Sequence, residues 1–214
     1  MSAGSIRLAV HGAAGRMGRR IVACAAADPR WKLVAALERS SCPHCGEDAG
    51  VLAGVAKADV PISSRWDAAA DVLIDFSLPG AVGPIAFLAA ERRVPLVVAT
   101  TGLEPKEQHA IVEVSRSVAV LQSPSMSLAV NVAMDLVARA GRLLSAVAGR
   151  TDVEIIECHH RHKEDAPSGT ALKFGRIVGE AMLHAHPRGP QREAHGRSGR
   201  VGARPAGEIG YHAV

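Results

Sequence analysis

The densest run of chemically useful side chains is Glu157-Cys158-His159-His160-Arg161-His162-Lys163-Glu164-Asp165-Ala166-Pro167-Ser168-Gly169-Thr170. Three histidines and a lysine within five residues can supply a proton donor near neutral pH, because imidazole titrates there and a crowded ammonium can be pushed down towards it. Ser168 suits a helix N-cap, and the free amide hydrogens of Gly169 and Thr170 at a helix start would hold a carboxylate. We read the segment as a catalytic cluster beside an anion site. Two other readings stand beside it. A zinc site could use His159, His160 and His162, but these lie too close in sequence to converge easily on one ion, and no supporting cysteine or acidic spacing accompanies them. A solvated basic loop is the plainer reading.

A second chemistry-bearing group is Gly12-Ala13-Ala14-Gly15-Arg16-Met17-Gly18. The first glycine lets the chain turn off a strand, the middle one lets backbone approach a pyrophosphate, and the third lets helix pack on sheet. The spacing is GxxGxxG, with Ala14 where the commoner pattern has its middle glycine. Glu38, about twenty residues on, can accept bonds from a ribose diol, and Arg39 beside it can meet a 2′-phosphate. The adjacent pair suggests a site that accepts both NADH and NADPH.

Cys42-Pro43-His44-Cys45 could be half a zinc site or a redox dithiol. No second CxxC exists, and the following Gly46 to Gly54 is too rich in glycine to predict a helix, so a surface loop holding two thiols is the simpler expectation. Between His184 and Arg204 stand Arg188, Arg192, Arg197, Arg200 and Arg204 with Glu193 as the only acid. The run has no aromatic to stack on a base, so nucleic acid is not expected; its glycines and prolines suit a loop, and beside a cleft it would attract a small polyanion.

The elements that must position these groups alternate. Ile6 to Val10 reads as a buried strand running into the glycine turn and an apolar helix, Ile21 to Ala27. Trp31 to Leu37, Asp71 to Phe76, Pro95 to Ala99 and Val118 to Gln122 are further strands, with helical stretches at Ala81 to Arg93 and Pro105 to Ser117. This order predicts an α/β fold with a doubly wound parallel sheet of the Rossmann type. From Ser127 the pattern changes: a long helix to Ala148, a weakly alternating strand Thr151 to Cys158, a helix Ser168 to Ala185 and a terminal strand from Glu208. We expect a dinucleotide-binding domain over 1–126 and an α+β substrate-binding and oligomerisation domain over 127–214.

Composition narrows the classes. With 48% hydrophobic and 21% charged residues, the 214-residue chain is neither disordered nor fibrous, and its 3% aromatics mean a core of Ala, Val, Leu and Ile. Four cysteines make no disulfide framework. No stretch offers the roughly 20 apolar residues of a membrane span, and no export signal opens the chain, so a cytoplasmic protein without membrane partners is expected.

The glycine turn, Glu38-Arg39, Ile74-Asp75-Phe76-Ser77, Thr100-Thr101-Gly102, Ser123 to Val132 and, most specifically, His159 to Lys163 with Asp165 to Thr170 together resemble the 4-hydroxy-tetrahydrodipicolinate reductase (dihydrodipicolinate reductase) family of diaminopimelate and lysine synthesis. The resemblance runs from Ile6 to Val214. It implies hydride transfer from NADH or NADPH to a cyclic unsaturated dicarboxylate, followed by protonation. By that likeness His159 is the acid and Lys163 the second donor, while His160, Lys163, Ser168, Gly169 and Thr170 contact the substrate. Gly12, Ala13, Ala14, Gly15, Arg16 and Met17 would cradle the pyrophosphate, and Glu38 and Arg39 the adenosine ribose. Ala99, Thr100, Thr101, Ser123, Pro124, Ser125 and Met126 would hold the nicotinamide half. No metal is implied, and a homotetramer is.

This chain departs from the family pattern at Ser125, where asparagine is usual, and at Ala129, where glycine is common; the Ser125 hydroxyl can still hydrogen-bond, so an altered nicotinamide contact is expected. The resemblance also leads us to expect an Arg-Gly-Gly-Asp stretch and further strands after Val214, so that the second domain reads as truncated. Two alternatives to an active reductase follow: a nucleotide-binding but catalytically impaired truncated form, and a thiol or metal protein using Cys42, Cys45 and the histidines.

Overall fold

The computed structural model describes residues 4–148, 151–161, 163–185, 192–205 and 207–214. His162, His186 and Arg188, part of the clusters above, lie outside the described residues. The chain divides into two compact units, Met1–Ser123 and Pro124–Val214.

The first unit alternates strand and helix. β1 (Ile6–His11), α1 (Arg16–Ala26), β2 (Trp31–Leu37), α2 (Ala49–Leu52), β3 (Ile62–Ser63), β4 (Val72–Asp75), α3 (Pro79–Glu91), β5 (Leu96–Val98), α4 (Pro105–Val114) and β6 (Val120–Gln122) follow one another. The strands form one sheet in the order β3-β2-β1-β4-β5-β6, every pairing parallel. The order reverses direction beside β1, which makes the ends of β1 and β4 the switch point where such sheets take ligands.

Both faces of the sheet are covered, so the inner stretches of its strands are apolar. Leu8 and Val10 pack with Val22, Ala36 and Ile62 on one face. Ala9, Leu73 and Val98 pack with Val82, Ile85 and Ile111 on the other. With few aromatics available these small chains interlock closely, and burying each of the larger ones contributes roughly 1.5–3 kcal/mol. Pro79 and Pro105 start α3 and α4 at positions where a missing amide hydrogen costs nothing, and Glu104 and Glu107 complete a capping box on α4.

Two local expectations are corrected here. The glycine-rich stretch after Cys45 contains a one-turn helix, because the Asp48 carboxylate caps α2 at Gly50 N and Val51 N while also accepting from Ala58 N and Val60 N. Those amides, Ala58 first, hold its carboxyl below the usual carboxylate range. The arginine-rich run is not all loop: Arg192–His195 is a strand, β8, with its register set by pairing to the terminal strand rather than by any apolar pattern of its own.

In the second unit, α5 (Leu128–Ala148) precedes β7 (Val153–Glu157), α6 (Gly169–Ala185), β8 and β9 (Glu208–Ala213). β9 lies between β7 and β8, parallel to both. Ala171, Val178, Met182, Ile209 and Tyr211 form its core. Close approach is built in with glycine: a Cβ on Gly141 would stand 3.1 Å from the Val178 side chain, and one on Gly175 would collide with the Tyr211 hydroxyl. Among the described residues no helix is long and apolar enough to cross a membrane.

Candidate active site

The phosphate turn is built by collision as much as by contact. Gly12 has φ 76°, and a Cβ there would lie 2.5 Å from the Phe76 carbonyl oxygen. A Cβ on Gly18 would run into the Gly12 carbonyl oxygen. Glycine is therefore required at both places, which brings α1 tight against the turn and leaves Gly15 as its N-cap with no side chain bonded to the first amides. Open amides and the positive end of the helix dipole suit a diphosphate. Ala13 is buried, while Gly15, Arg16 and Met17 are exposed.

Glu38 stands immediately beyond β2. Its Oε1 accepts the Ala14 amide at 3.1 Å, which joins the second strand to the phosphate turn. Arg39 is exposed beside it, and its carbonyl accepts from Cys42 N at 2.9 Å and Cys45 Sγ at 3.6 Å. Cys42 and Cys45 are free thiols. Among the described residues no three His, Cys, Asp or Glu side chains converge to hold a metal ion.

At the other strand ends, Ala99 and Thr100 are buried and Thr101 is exposed. The Thr100 hydroxyl bonds the carboxylate of Asp75, which also receives His11 Nδ1 and Ser77 Oγ. Neither His11 nor Asp75 stood among the expected cofactor residues. The only sequence signal was an acid closing an apolar strand, and its partners are 64 and 25 residues away. Ser123 N donates to the Val98 carbonyl at 3.1 Å. In the second unit Ser125 O accepts Asn131 Nδ2 at 3.0 Å, and Met126 is 41% exposed. The residues of the first unit therefore fit a dinucleotide: a glycine cradle that a Cβ would fill, an open helix N-terminus and a carboxylate at the end of the second strand.

The chemical cluster spans the connection from β7 to α6. Its anchor is Glu157, which the sequence reading quoted without a role. Glu157 Oε1 accepts Ser168 N at 2.6 Å, Oε2 accepts the Ser168 hydroxyl, and Oε2 is 3.7 Å from His159 Nδ1, an ion-pair distance. Ser168 Oγ in turn accepts Ala171 N at 3.1 Å, capping α6. Ser168 is thus buried, with its amide and hydroxyl given to Glu157, and its place is that of a cap. Gly169 is exposed and Thr170 half-buried on the first turn.

Lys163 Nζ is 2.6 Å from Asp165 Oδ1. That ammonium, assisted by the Gly169 amide, holds the Asp165 carboxyl below the usual carboxylate range. Asp165 therefore occupies a cation that an anionic ligand would want. His160 is exposed and its carbonyl accepts Lys163 N at 3.1 Å. Chemically, the loop offers an imidazole backed by a carboxylate, an ammonium and a helix N-terminus, the parts needed to bind a carboxylate and donate a proton.

Known proteins share both units. Residues 6–126 match the family model described as dihydrodipicolinate reductase, N-terminus, and residues 129–214 match its C-terminus. A 4-hydroxy-tetrahydrodipicolinate reductase of Rhodopirellula baltica is 47% identical over 222 residues, covering all of this chain and 76% of that protein. Its counterpart from Nitrosospira multiformis is 38% identical over 213 residues, covering 98% of this chain and 77% of that one. The dipicolinate-bound dihydrodipicolinate reductase of Paenisporosarcina sp. TG-14 superimposes with a TM-score of 0.65 at 25% identity, covering 98% of this chain and 78% of that chain. With both of its units matched in order by the two halves of one family, the chain belongs to the dihydrodipicolinate reductases.

Proposed function

We infer that this protein reduces 4-hydroxy-tetrahydrodipicolinate, a cyclic dicarboxylate, with NADH or NADPH, the cofactors that enzymes of this family use. The observation that carries the reading is the β7–α6 connection, where Glu157, His159, Lys163 and the start of α6 stand within one short segment of a chain that also carries a complete phosphate turn. When bound, the reduced nicotinamide supplies a hydride. Gly12 to Met17 cradle the diphosphate, with the uncapped amides at the start of α1 turned to it, and Glu38 accepts from the adenosine ribose. Arg39 meets a 2′-phosphate when one is present. Ala99, Thr100, Thr101, Ser123, Pro124, Ser125 and Met126 hold the nicotinamide half.

On the substrate side, Gly169 and Thr170 offer amide hydrogens to a carboxylate, with His160 and Lys163 adding charge. Addition of hydride to the ring leaves an electron pair that must take a proton. His159 donates it, its Nδ1 facing Glu157, which stabilises the imidazolium before transfer. Lys163 is the second donor and screens the developing negative charge. The protein works in the cytoplasm as a homotetramer; the outward face of the β7–β9 sheet, where Ile156 is 74% exposed, supports assembly through the second unit.

The test mixes the protein with freshly generated substrate and either nucleotide while following nicotinamide absorbance, with pyridine-2,6-dicarboxylate added as a competitor. Substrate-dependent oxidation that the dicarboxylate suppresses is expected. Nucleotide binding with no turnover and no response to the dicarboxylate would overturn the assignment.

A further inference from the structure

Asp75 ends β4 with 0% exposure, in register with Val98, and Val98, Leu73 and its strand partner Ala9 are equally dry. A carboxylate taken out of water survives only with full hydrogen bonding, and swapping such a group for a well-packed apolar one is often neutral for stability. The folding of this sheet therefore gives no reason for an acid here. Its partners give one.

Oδ1 receives His11 Nδ1 at 2.6 Å and Ser77 Oγ at 2.7 Å, while Oδ2 receives Thr100 Oγ1 at 2.5 Å. Thr100 Oγ1 in turn accepts the Ser77 amide at 3.1 Å. The main chain repeats the same connections, with Phe76 N donating to His11 O at 3.1 Å and Ala99 N to Asp75 O at 3.0 Å. A carboxylate only accepts, so every hydrogen in the network has one direction. The Thr100 hydroxyl must donate to Asp75 and is left to accept from Ser77. His11 must carry a proton on Nδ1, which leaves Nε2 as the nitrogen turned away from the acid.

Each donor lies on a different segment of the sheet's C-terminal edge. His11 immediately precedes the phosphate turn, Ser77 opens the connection to α3, and Thr100 follows β5. We propose that Asp75 is a positioning residue for the cofactor, orienting His11, Ser77 and Thr100 so that the three strand-end segments stand in register for the nicotinamide half of the dinucleotide. The proposal rests on the assignment of Thr100 to that half. It adds a group that touches no ligand and acts by fixing the hydrogens of those that do.

Thr100→Val keeps the shape of the side chain and removes the donor, Thr100→Ser keeps the donor, and Asp75→Asn replaces the acceptor. Equilibrium NADH binding by calorimetry, thermal unfolding without nucleotide and steady-state constants are measured on each full chain. Thr100→Val and Asp75→Asn should weaken NADH about tenfold or more, with a matching rise in KM for the nucleotide and a smaller change in kcat, whereas Thr100→Ser should recover most of the affinity. Nitrogen NMR of the nucleotide-free protein should show His11 protonated at Nδ1 in the parent and in Thr100→Ser, and this signature should be lost in Asp75→Asn. Wild-type NADH affinity in Thr100→Val, or equal losses in Thr100→Val and Thr100→Ser, would overturn the positioning role even if Asp75→Asn fails to fold. An unaltered protein that shows the His11 signature but binds no NADH would remove the cofactor assignment instead, and this proposal with it.

Discussion

At the strand ends of the first unit, the Asp75 carboxylate is shut off from solvent with both oxygens engaged, whereas in the loop after β7 the Asp165 carboxylate is 64% exposed and holds Lys163, the cation proposed to meet the substrate. The hydrogens of the first arrangement are directed by a group sealed from solvent within the fold. The second holds the ammonium that the proposed function gives to a substrate carboxylate, so on that proposal the dianion would enter by exchange with Asp165. One half is preorganised and the other is competitive, and only the preorganised half presents its charges at no cost in repulsion.

The sharpest way to break this contrast is at His159. His159→Gln should lower kcat by roughly 10²–10³ while leaving the NADH dissociation constant unchanged, read from steady-state rates and calorimetry. A parallel loss of nucleotide affinity would mean that the two halves are not separable. A second comparison is between the cores. Tyr211, the one tyrosine in the chain, lies buried in the second unit with its ring stacked 5.4 Å from His195 and its hydroxyl 3.3 Å from Glu193 Oε1. Burial, with Glu193 adding to it, pushes the phenol up to about 12. The folded state thus favours the neutral phenol, so stability is intact below about pH 10 and falls by roughly 2 kcal/mol as the pH rises towards 12. Denaturant titrations at increasing pH should lose the second unit first, with phenolate absorbance reporting that single group.

Smaller effects sharpen the picture. Arg39→Ala should weaken NADPH about tenfold more than NADH, through loss of a charge-assisted bond to the extra phosphate. Equal losses in the two binding isotherms would show that Arg39 does not read it. Asp165→Asn should tighten pyridine-2,6-dicarboxylate by about three- to fivefold, because a negative charge near the dianion and a competitor for Lys163 both disappear. The Asp165 carboxyl is depressed by Lys163, so the pair persists through the ordinary carboxylate range and fades only as the pH falls below it. A weaker isotherm for the variant would make Asp165 a support rather than a placeholder.

The sheet of the first unit was legible because strands covered on both faces carry unbroken apolar runs, as Leu8 to Val10, Val72 to Ile74 and Leu96 to Val98 do. β3 was not, since Ile62–Ser63 is too short to show a period. β8 escaped because Arg192–His195 carries charges on a largely exposed strand whose pairing with β9 decides its shape. The α2 helix escaped because the cap supplied by Asp48 outweighs the glycines around it. The glycine turn and the histidine cluster were legible as local motifs. The Asp75 network was not, because it joins residues 64 and 25 positions away, and the anchor at Glu157 was not, because an acid at a strand end looks the same on paper whether it meets water or several donors.

The Ala14 amide that already holds Glu38 bears on how fast and how firmly a nucleotide settles. Freezing a glutamate side chain gives up roughly 1.5–2 kcal/mol of rotamer freedom. Here that ordering happens as the chain folds, so a ribose diol bound as proposed would meet an acceptor with its torsions already chosen. Nucleotide recognition should accordingly carry a smaller entropic penalty than an unrestrained surface acid would impose.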